Sequence, residues 1–401
     1  MPKPSIEAVQ RAAWRFGWES ANPKNGLVPD HIEDGKSGVP ASIAVVGMAL
    51  SALAVGVENG WVARRAAAHR ALSTLRFFAR DAAHHGGFFF HFLDLESGAR
   101  VWNCEISSID STFLFLGALF CGAYFDHDTP HEREIRNLSE EIFARANWSW
   151  FRSDDAVSIA FTPERGFSKH GWRGYNEGLL LAVLGLGSPT HALPVSSYAA
   201  WISTYRFKRL YGREFLFCGP LFTHLFPHLW LDLRGVADVP LQNRDLDFFE
   251  NTTRAIEIQV EWAKKRGEPQ QWGVSACDAP QGGKLGGYRA RGVPFGRFDE
   301  VFSPPVCLAS LPFAPDLALE GWNYWRSNSP EIMGKWGVRG AIHAPSGWTS
   351  GWFGLDQGML VLMLENWRSG LLWELSKRIT PLQIGLFEAT GVRRQATGTR
   401  Q

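Results

Sequence analysis

Residues 172–187 read "WRGYNEGLLLAVLGLG". From Leu179 to Leu186 this stretch carries no polar side chain, so a helix made of it is apolar on every face and has to be buried. Yet a carboxylate, Glu177, stands at its doorway, directly after Trp172, Tyr175 and Asn176. Acidic residues favour the first turn of a helix because they face the positive end of its macrodipole, and one such case would call for nothing more. The layout recurs. Residues 102–120 read "WNCEISSIDSTFLFLGALF", with Glu105 and Asp110 ahead of an apolar run, and residues 352–364 read "WFGLDQGMLVLML", with Asp356 in the same place. Three times an aromatic loop delivers an acid to the start of a core helix, so the acids gather at one end of a helical core.

Outward from these three runs, the 3.6-residue period predicts helices over 5–18, 42–57, 61–81, 107–125, 131–147, 174–186, 195–210, 219–231, 243–266, 303–311, 315–328, 356–368 and 370–379. Clusters of Gly, Pro and Asn punctuate them, as in "NPKNG" and "SNSP". One segment reads instead as a β-hairpin, "GFFFHFLDLESGARVWN" (87–103), turning at Ser97-Gly98. The loop-rich stretch 267–302 has weak helical signal. No linker of low complexity divides the chain, so residues 1–401 are expected to form one domain. Apolar helices alternate with charged ones such as "VARRAAAHRALSTLRFFARD" (62–81) and "HEREIRNLSEEIFARAN" (131–147). Antiparallel pairs of this kind can close into a ring with an apolar inner wall. The expected class is all-α, an (α/α)6 toroid with one small hairpin.

Composition narrows the partners. With 41 basic against 40 acidic residues and no block of like charge, the chain lacks the basic face that nucleic acid or an anionic membrane would need. The five cysteines form no CxxC pair, so neither a disulfide framework nor a structural zinc site is indicated. The longest apolar run, "SIAVVGMALSALAVGV" (42–57), is too short to span a bilayer. The first twenty residues read as an amphipathic helix rather than a secretion signal, which points to the cytoplasm, or to the periplasm if a leader has been removed. The aromatic residues are unusual: 18 Trp beside 28 Phe and 7 Tyr. Core helices account for most of the Phe. Trp102, Trp172, Trp272, Trp348 and Trp352 sit in loops rich in glycine, where flat apolar faces beside acids suit a sugar.

The runs "NPKNGLVPD" (22–30), "FHFLDLESG" (90–98), "EISSIDSTFLFLGAL" (105–119), "GYNEGLLLAVLGLGSPTH" (174–191), "GPLFTHLFPHLWLDLRG" (219–235), "WGVSACDAP" (272–280) and "LDQGMLVLMLENWRSGLLWEL" (355–375) resemble, in order, the bacterial glycoamylase-like family. That family contains endo-β-1,2-glucanases and sophorose-releasing hydrolases and is related to the transglycosylase region of cyclic β-1,2-glucan synthases. The resemblance covers residues 22 to about 378 and implies an (α/α)6 barrel, a glucan oligosaccharide or polysaccharide as substrate, no cofactor, and a monomer or weak homodimer. It implies catalytic roles for Glu177, Asp110, Glu105 and Asp356. Sugar contacts are expected for Trp102, Trp172, Tyr175, His91, His224, Arg234, Trp272, Asp278, Tyr288 and Trp352. The chain departs from the family pattern in two loops: "GRFDEVF" (296–302) replaces an acidic run, and "HAPSG" (343–347) replaces "NPT". Both can reshape a cleft, so endo or exo cleavage is left open.

Glycoside hydrolysis needs one carboxylic acid to protonate the leaving oxygen and a second carboxylate to activate water or to attack the anomeric carbon. Glu177, in apolar and aromatic surroundings, suits the acid; Asp110 or Asp356 suits the base, with Glu105 in support. Inversion is expected, and retention by a transglycosylase is the alternative. His224 and His228 stand four apart, a spacing that can bind zinc, but Pro227 lies between them and no HExxH is present; no metal is called for. "GGKLGG" (282–287) lacks the strand and the ending of a phosphate loop. Glu365 within "MLENW" reads as structural. An isoprenoid cyclase would show a DxDD or DDxxD run, and none is present. A glycan-binding protein without activity would have no need of all three acids.

Overall fold

The structure is a computed structural model, and it describes residues 5–35, 38–280 and 287–392. Helices dominate: α1 (Ile6–Glu19), α2 (Ile43–Glu58), α3 (Arg64–Arg80), α4 (Ser108–Tyr124), α5 (Pro130–Ala144), α6 (Gly178–Leu186), α7 (Val195–Ile202), α8 (Phe222–Leu225), α9 (Pro227–Trp230), α10 (Val239–Gln242), α11 (Phe248–Lys265), α12 (Pro304–Ala309), α13 (Pro315–Asn328), α14 (Gly354–Arg368), α15 (Leu371–Ser376) and α16 (Thr380–Thr390).

Two kinds of helix alternate along the chain. All nine residues of α6 and all six of α12 are buried, as is nearly every residue of α2 and α4. By contrast α1, α3, α5 and α11 bury one face and carry charge on the other. That is what apolar periodicity dictates: a stripe needs one neighbour, and an all-round apolar surface needs neighbours everywhere. The buried helices pack on one another, α2 against α4 and α14, and α4 against α6. Gly47 of α2 and Gly117 of α4 meet where a β-carbon on either would enter the other helix's backbone, so these two helices lie unusually close. One cluster of buried apolar side chains runs from Val9 on α1 to Leu386 on α16.

Two-residue strands lead into the buried helices. Ala41–Ser42 precedes α2, Ile106–Ser107 precedes α4, Val301–Phe302 comes just before α12, and Trp352–Phe353 precedes α14. Each pairs with a strand from a different loop: Phe92–Leu93, Ala160–Thr162, Ile342–His343 and His31–Ile32 respectively. The entry strands of four buried helices are thus each tied to another loop.

Several local expectations change. Residues 87–103 are not one hairpin. Phe88–Phe89 pairs back on His84–His85, Phe92–Leu93 pairs with Ala41–Ser42, and a single bridge, Leu93 to Arg100, spans the turn. The predicted helix 195–210 stops at Ile202, and Phe207–Leu210 pairs with Arg213–Leu216 about Tyr211-Gly212. Both turn residues have positive φ, as a tight two-residue hairpin turn requires. The predicted helix 219–231 is broken into α8 and α9 at Pro227, which has no N–H to give. The run 380–390, beyond the last predicted helix, forms α16 against α6.

Candidate active site

The strand Ile106–Ser107 hands the chain into α4, and Ser107 caps that helix by accepting from the Asp110 amide. Its hydroxyl also donates to the Asp110 carboxylate, at 2.5 Å. Asp110 is 9% exposed. His91, from the loop opposite, lies between two acids: its Nδ1 is 2.8 Å from Glu105 and its Nε2 is 3.5 Å from Asp110. Its ring stacks on Phe92 with centroids 3.8 Å apart. Burial alone would depress the imidazole, but Asp110 and Glu105 outweigh it and lift His91 to about 9. The His91 hydrogen bond in turn holds Glu105 below the usual carboxylate range.

Glu177 immediately precedes α6 at its N-cap position, on a loop fastened to α4 by Trp172, whose indole N–H donates to the Ser108 hydroxyl at 2.9 Å. Asn176 caps the next residue, accepting from the Gly178 amide at 2.8 Å, so Glu177 is released from the capping duty that its position offers. Burial pushes its carboxyl up; its own backbone N–H opposes, and the nearby charge of Asp110 adds to the rise, leaving it at about 7. Asp356 occupies the first turn of α14, with its carboxylate against Gly340. Among the described residues no donor reaches its carboxylate. Burial, then the charge of Asp30, push it up to about 8. Neither Glu177 nor Asp356 is fully covered; each keeps an open side at the helix mouth although protein surrounds it.

Asp30 is the acid that the residue patterns did not single out. It ends the run "NPKNGLVPD", its carboxylate is 2.9 Å from His31 Nδ1, and the bond raises that imidazole. Its only sequence signal was membership in a matching run, with neither an apolar helix nor an aromatic loop beside it. Tyr288 is 58% exposed, with its ring 6.2 Å from that of Phe353 and its hydroxyl within electrostatic reach of Asp356, Glu177 and Asp30. Beside His31 a depression of about 390 Å³ is lined by Asp278, Arg339 and Trp348, among others. Trp102 is 69% exposed, with positive φ at both Trp102 and Asn103, and its ring is 5.3 Å from Phe92.

Other expected sugar contacts lie elsewhere. Trp272 is 1% exposed, wedged over Gly321, with its carbonyl accepting from Trp325. Trp352 is 4% exposed, over Gly334 and beneath Arg339, and donates to the Gly337 carbonyl. In both cases a glycine distant in sequence is the slot that admits the indole into the core. Tyr175 and His224 are buried together, rings 5.2 Å apart, and burial depresses His224 to about 4. His228 is likewise depressed by burial, to about 3. Arg234 pairs with Asp232 at 2.8 Å and lies over Trp373, beyond the far end of α14 from Asp356. Among the described residues no group of three or more His, Cys, Asp or Glu side chains is arranged to hold a metal ion, and no helix is long and apolar enough to cross a membrane. Apart from Gly287, the run 282–287 lies outside the described residues.

The clustered carboxyls, two raised and three held by histidine, form an arrangement able to give and take protons. Comparison with known proteins points the same way. The chain is 25% identical, over 424 aligned positions, to the exo β-1,2-glucooligosaccharide sophorohydrolase (non-reducing end) of Parabacteroides distasonis. The match takes in 95% of this chain and 57% of the length of that curated relative. Its fold is that of the β-1,2-glucanase from Parabacteroides distasonis, with TM-score 0.88, 23% identity, and 97% of this chain and 61% of that one covered. It is equally that of the endo-β-1,2-glucanase from Chitinophaga pinensis in complex with sophorotriose and glucose, with TM-score 0.84, 24% identity, and 97% and 99% covered. The family model named Glycoamylase matches residues 169–380, more than half of the 401 residues and the part that holds Glu177 and Asp356. The chain belongs to the glycoamylase family.

Proposed function

We propose that this chain is an inverting glycoside hydrolase of β-1,2-glucan, built as one (α/α)6 domain. Six buried segments, α2, α4, α6, α8 with α9, α12 and α14, alternate in sequence with outer helices, and α14 packs on α2; both features fit a closed ring. The β-1,2 linkage is favoured by the sophorohydrolase relative and by the two glucanase structures.

The observation that carries the chemistry is the pairing of raised acids with separate charged neighbours. Glu177 is lifted to about 7 next to Asp110, and Asp356 to about 8 next to Asp30. The two raised acids stand at the mouths of different buried helices, and the inverting reaction requires them to face each other across roughly 6.5–9.5 Å, wide enough for a sugar and a water. In this mechanism Glu177 gives its proton to the glycosidic oxygen as the bond to the anomeric carbon breaks. A water attacks that carbon from the opposite face and passes a proton to Asp356, whose raised affinity makes it a stronger base than an ordinary carboxylate. Asp110 is held by Ser107 and His91, and its charge keeps the proton on Glu177 until the leaving oxygen takes it. Glu105 holds His91 in place. Trp102, Tyr288 and Asp278 line the approach. The higher value of Asp356 favours a second assignment, with acid and base exchanged. An aryl β-1,2-glucoside with a good leaving group separates the two, since it restores turnover to the variant that lacks the acid and not to the one that lacks the base.

The test is incubation with a panel of α- and β-glucans and proton NMR of the first product. β-1,2-Glucan should be cut, and the new reducing end should appear as the α-anomer before mutarotation. An initial β-anomer would move the chain to the retaining transglycosylases. Cleavage of an α-glucan alone would overturn the substrate.

A further inference from the structure

We propose that Asp30 is a positioning residue for Asp356: its backbone moors the mouth of α14, and its carboxylate sets the proton affinity of the acid there. The inference rests on Asp356 being one of the two working carboxyl groups.

The mooring has three parts. The Gly354 amide, first in α14, donates to the Asp30 carbonyl at 2.7 Å. His31 and Ile32 pair with Phe353 and Trp352 as antiparallel strands. The His31 ring stacks on Phe353 with centroids 5.1 Å apart. Residue 354 must be glycine for this contact, because a β-carbon there would run into Val45 and crowd the same carbonyl. Asp30 is itself tied down, its amide donating to the Pro40 carbonyl at 2.9 Å. The backbone that carries this carboxylate is therefore fixed against the mouth of α14.

Its charge is also held in place. His31 Nδ1 is 2.9 Å from the Asp30 carboxylate, with the two side chains 24% and 22% exposed. Two carboxylate–imidazole pairs therefore stand at the site, one for each raised acid: Asp110 with His91 beside Glu177, and Asp30 with His31 beside Asp356. The groups facing Asp356 are Asp30, Cys277 and Tyr288. Those facing Asp30 are His31, His91 and Tyr288, and Glu33 and Asp278 reach His31. Burial raises the Cys277 thiol and the Tyr288 hydroxyl, and of the groups facing Asp356, Asp30 is the one whose charge lifts it. A like charge disfavours ionisation of its neighbour, so Asp30 is the residue that raises the proton affinity of Asp356.

The experiment is Asp30→Asn, which keeps the shape and can still accept from His31 while removing the charge. Carbonyl-¹³C NMR follows the Asp356 carboxyl of the free protein as pH is varied. In the wild type it should titrate near 8. In Asp30→Asn the midpoint should fall by at least half a unit, about threefold in proton affinity, and Asp30→Glu should restore it. The limb of the kcat/KM profile that belongs to Asp356 should move to lower pH by the same amount, with KM unchanged. His31→Gln, which removes the compensating imidazolium, should move the midpoint the other way. An unmoved Asp356 midpoint in a folded Asp30→Asn protein overturns the proposal. If the midpoint moves but Asp356→Asn is fully active, the catalytic role of Asp356 fails and the control by Asp30 stands.

Discussion

Helix α14 carries an acid at each end, and the two ends treat it in opposite ways. Glu365, near the C-terminus, is 1% exposed and accepts from Gln10 at 3.2 Å, Asn59 at 3.0 Å, Arg368 at 2.6 Å and Ser369 at 2.6 Å. Asp356, in the first turn, accepts from no donor among the described residues and sits near another carboxylate. Proteins satisfy buried carboxylates where stability is the only demand. A carboxyl left without donors and beside a like charge is held at a cost that only function explains. One end of the helix is therefore an anchor and the other the end proposed to do the chemistry, and hydrogen bonding tells them apart where residue type does not.

The largest expected effect breaks the comparison at the end proposed to do the chemistry. Glu177→Gln should lower turnover by at least about a thousandfold with the fold intact, since proton donation and positioning are lost together; release of reducing sugar measures it. More than about a tenth of the activity remaining would make Glu177 a helix-terminal charge and nothing else.

The second prediction concerns pH and stability. Glu177 and Asp356 have folded values of about 7 and about 8, above their unfolded values. The stability they lend as neutral groups is complete below the unfolded values and is lost as pH rises through about 7 and about 8. Glu177→Gln and Asp356→Asn should therefore lose less stability than the wild type between pH 5 and pH 9, by on the order of 2–3 kcal/mol each. Denaturant midpoints at the two pH values measure this, and equal losses in all three proteins would mean that the acids are not strained.

At the anchored end the expectation reverses. Glu365→Ala should cost about 2 kcal/mol or more of stability by stranding its donors, while turnover per folded molecule stays within about twofold. A large loss of turnover without a loss of stability would erase the distinction between the two ends. The smallest effect is expected at the rim. Trp102→Ala should raise KM for β-1,2-oligosaccharides severalfold with kcat nearly unchanged, because an exposed indole supplies binding rather than chemistry; initial rates against chain length test it.

Much of this was legible in the residues. The all-round apolar character of 179–186, 113–121 and 358–364 is a local property, and burial follows from it whatever the neighbours are. The same three runs placed Glu177, Asp110 and Asp356 at the ends of core helices, and "MLENW" already marked Glu365 as structural. The loop tryptophans misled because sequence does not say which way a loop folds. Trp272 and Trp352 turn inward over Gly321 and Gly334, whereas Trp102 turns out. The hairpin at 207–216 was lost because a short alternating stretch directly after a helix extends the helical pattern on paper.

By itself, then, the sequence determined which segments are buried helices and which acids open them, because helical periodicity and hydrophobic burial are set within a few residues of chain. Tertiary structure alone decided what each acid feels. Asp30 meets Asp356 from the other end of the chain, through strand pairing that no local pattern encodes, and His91 reaches Asp110 from a separate loop. Proton affinity depends on charges and burial within a few ångströms in space, and that neighbourhood exists only once the chain has folded.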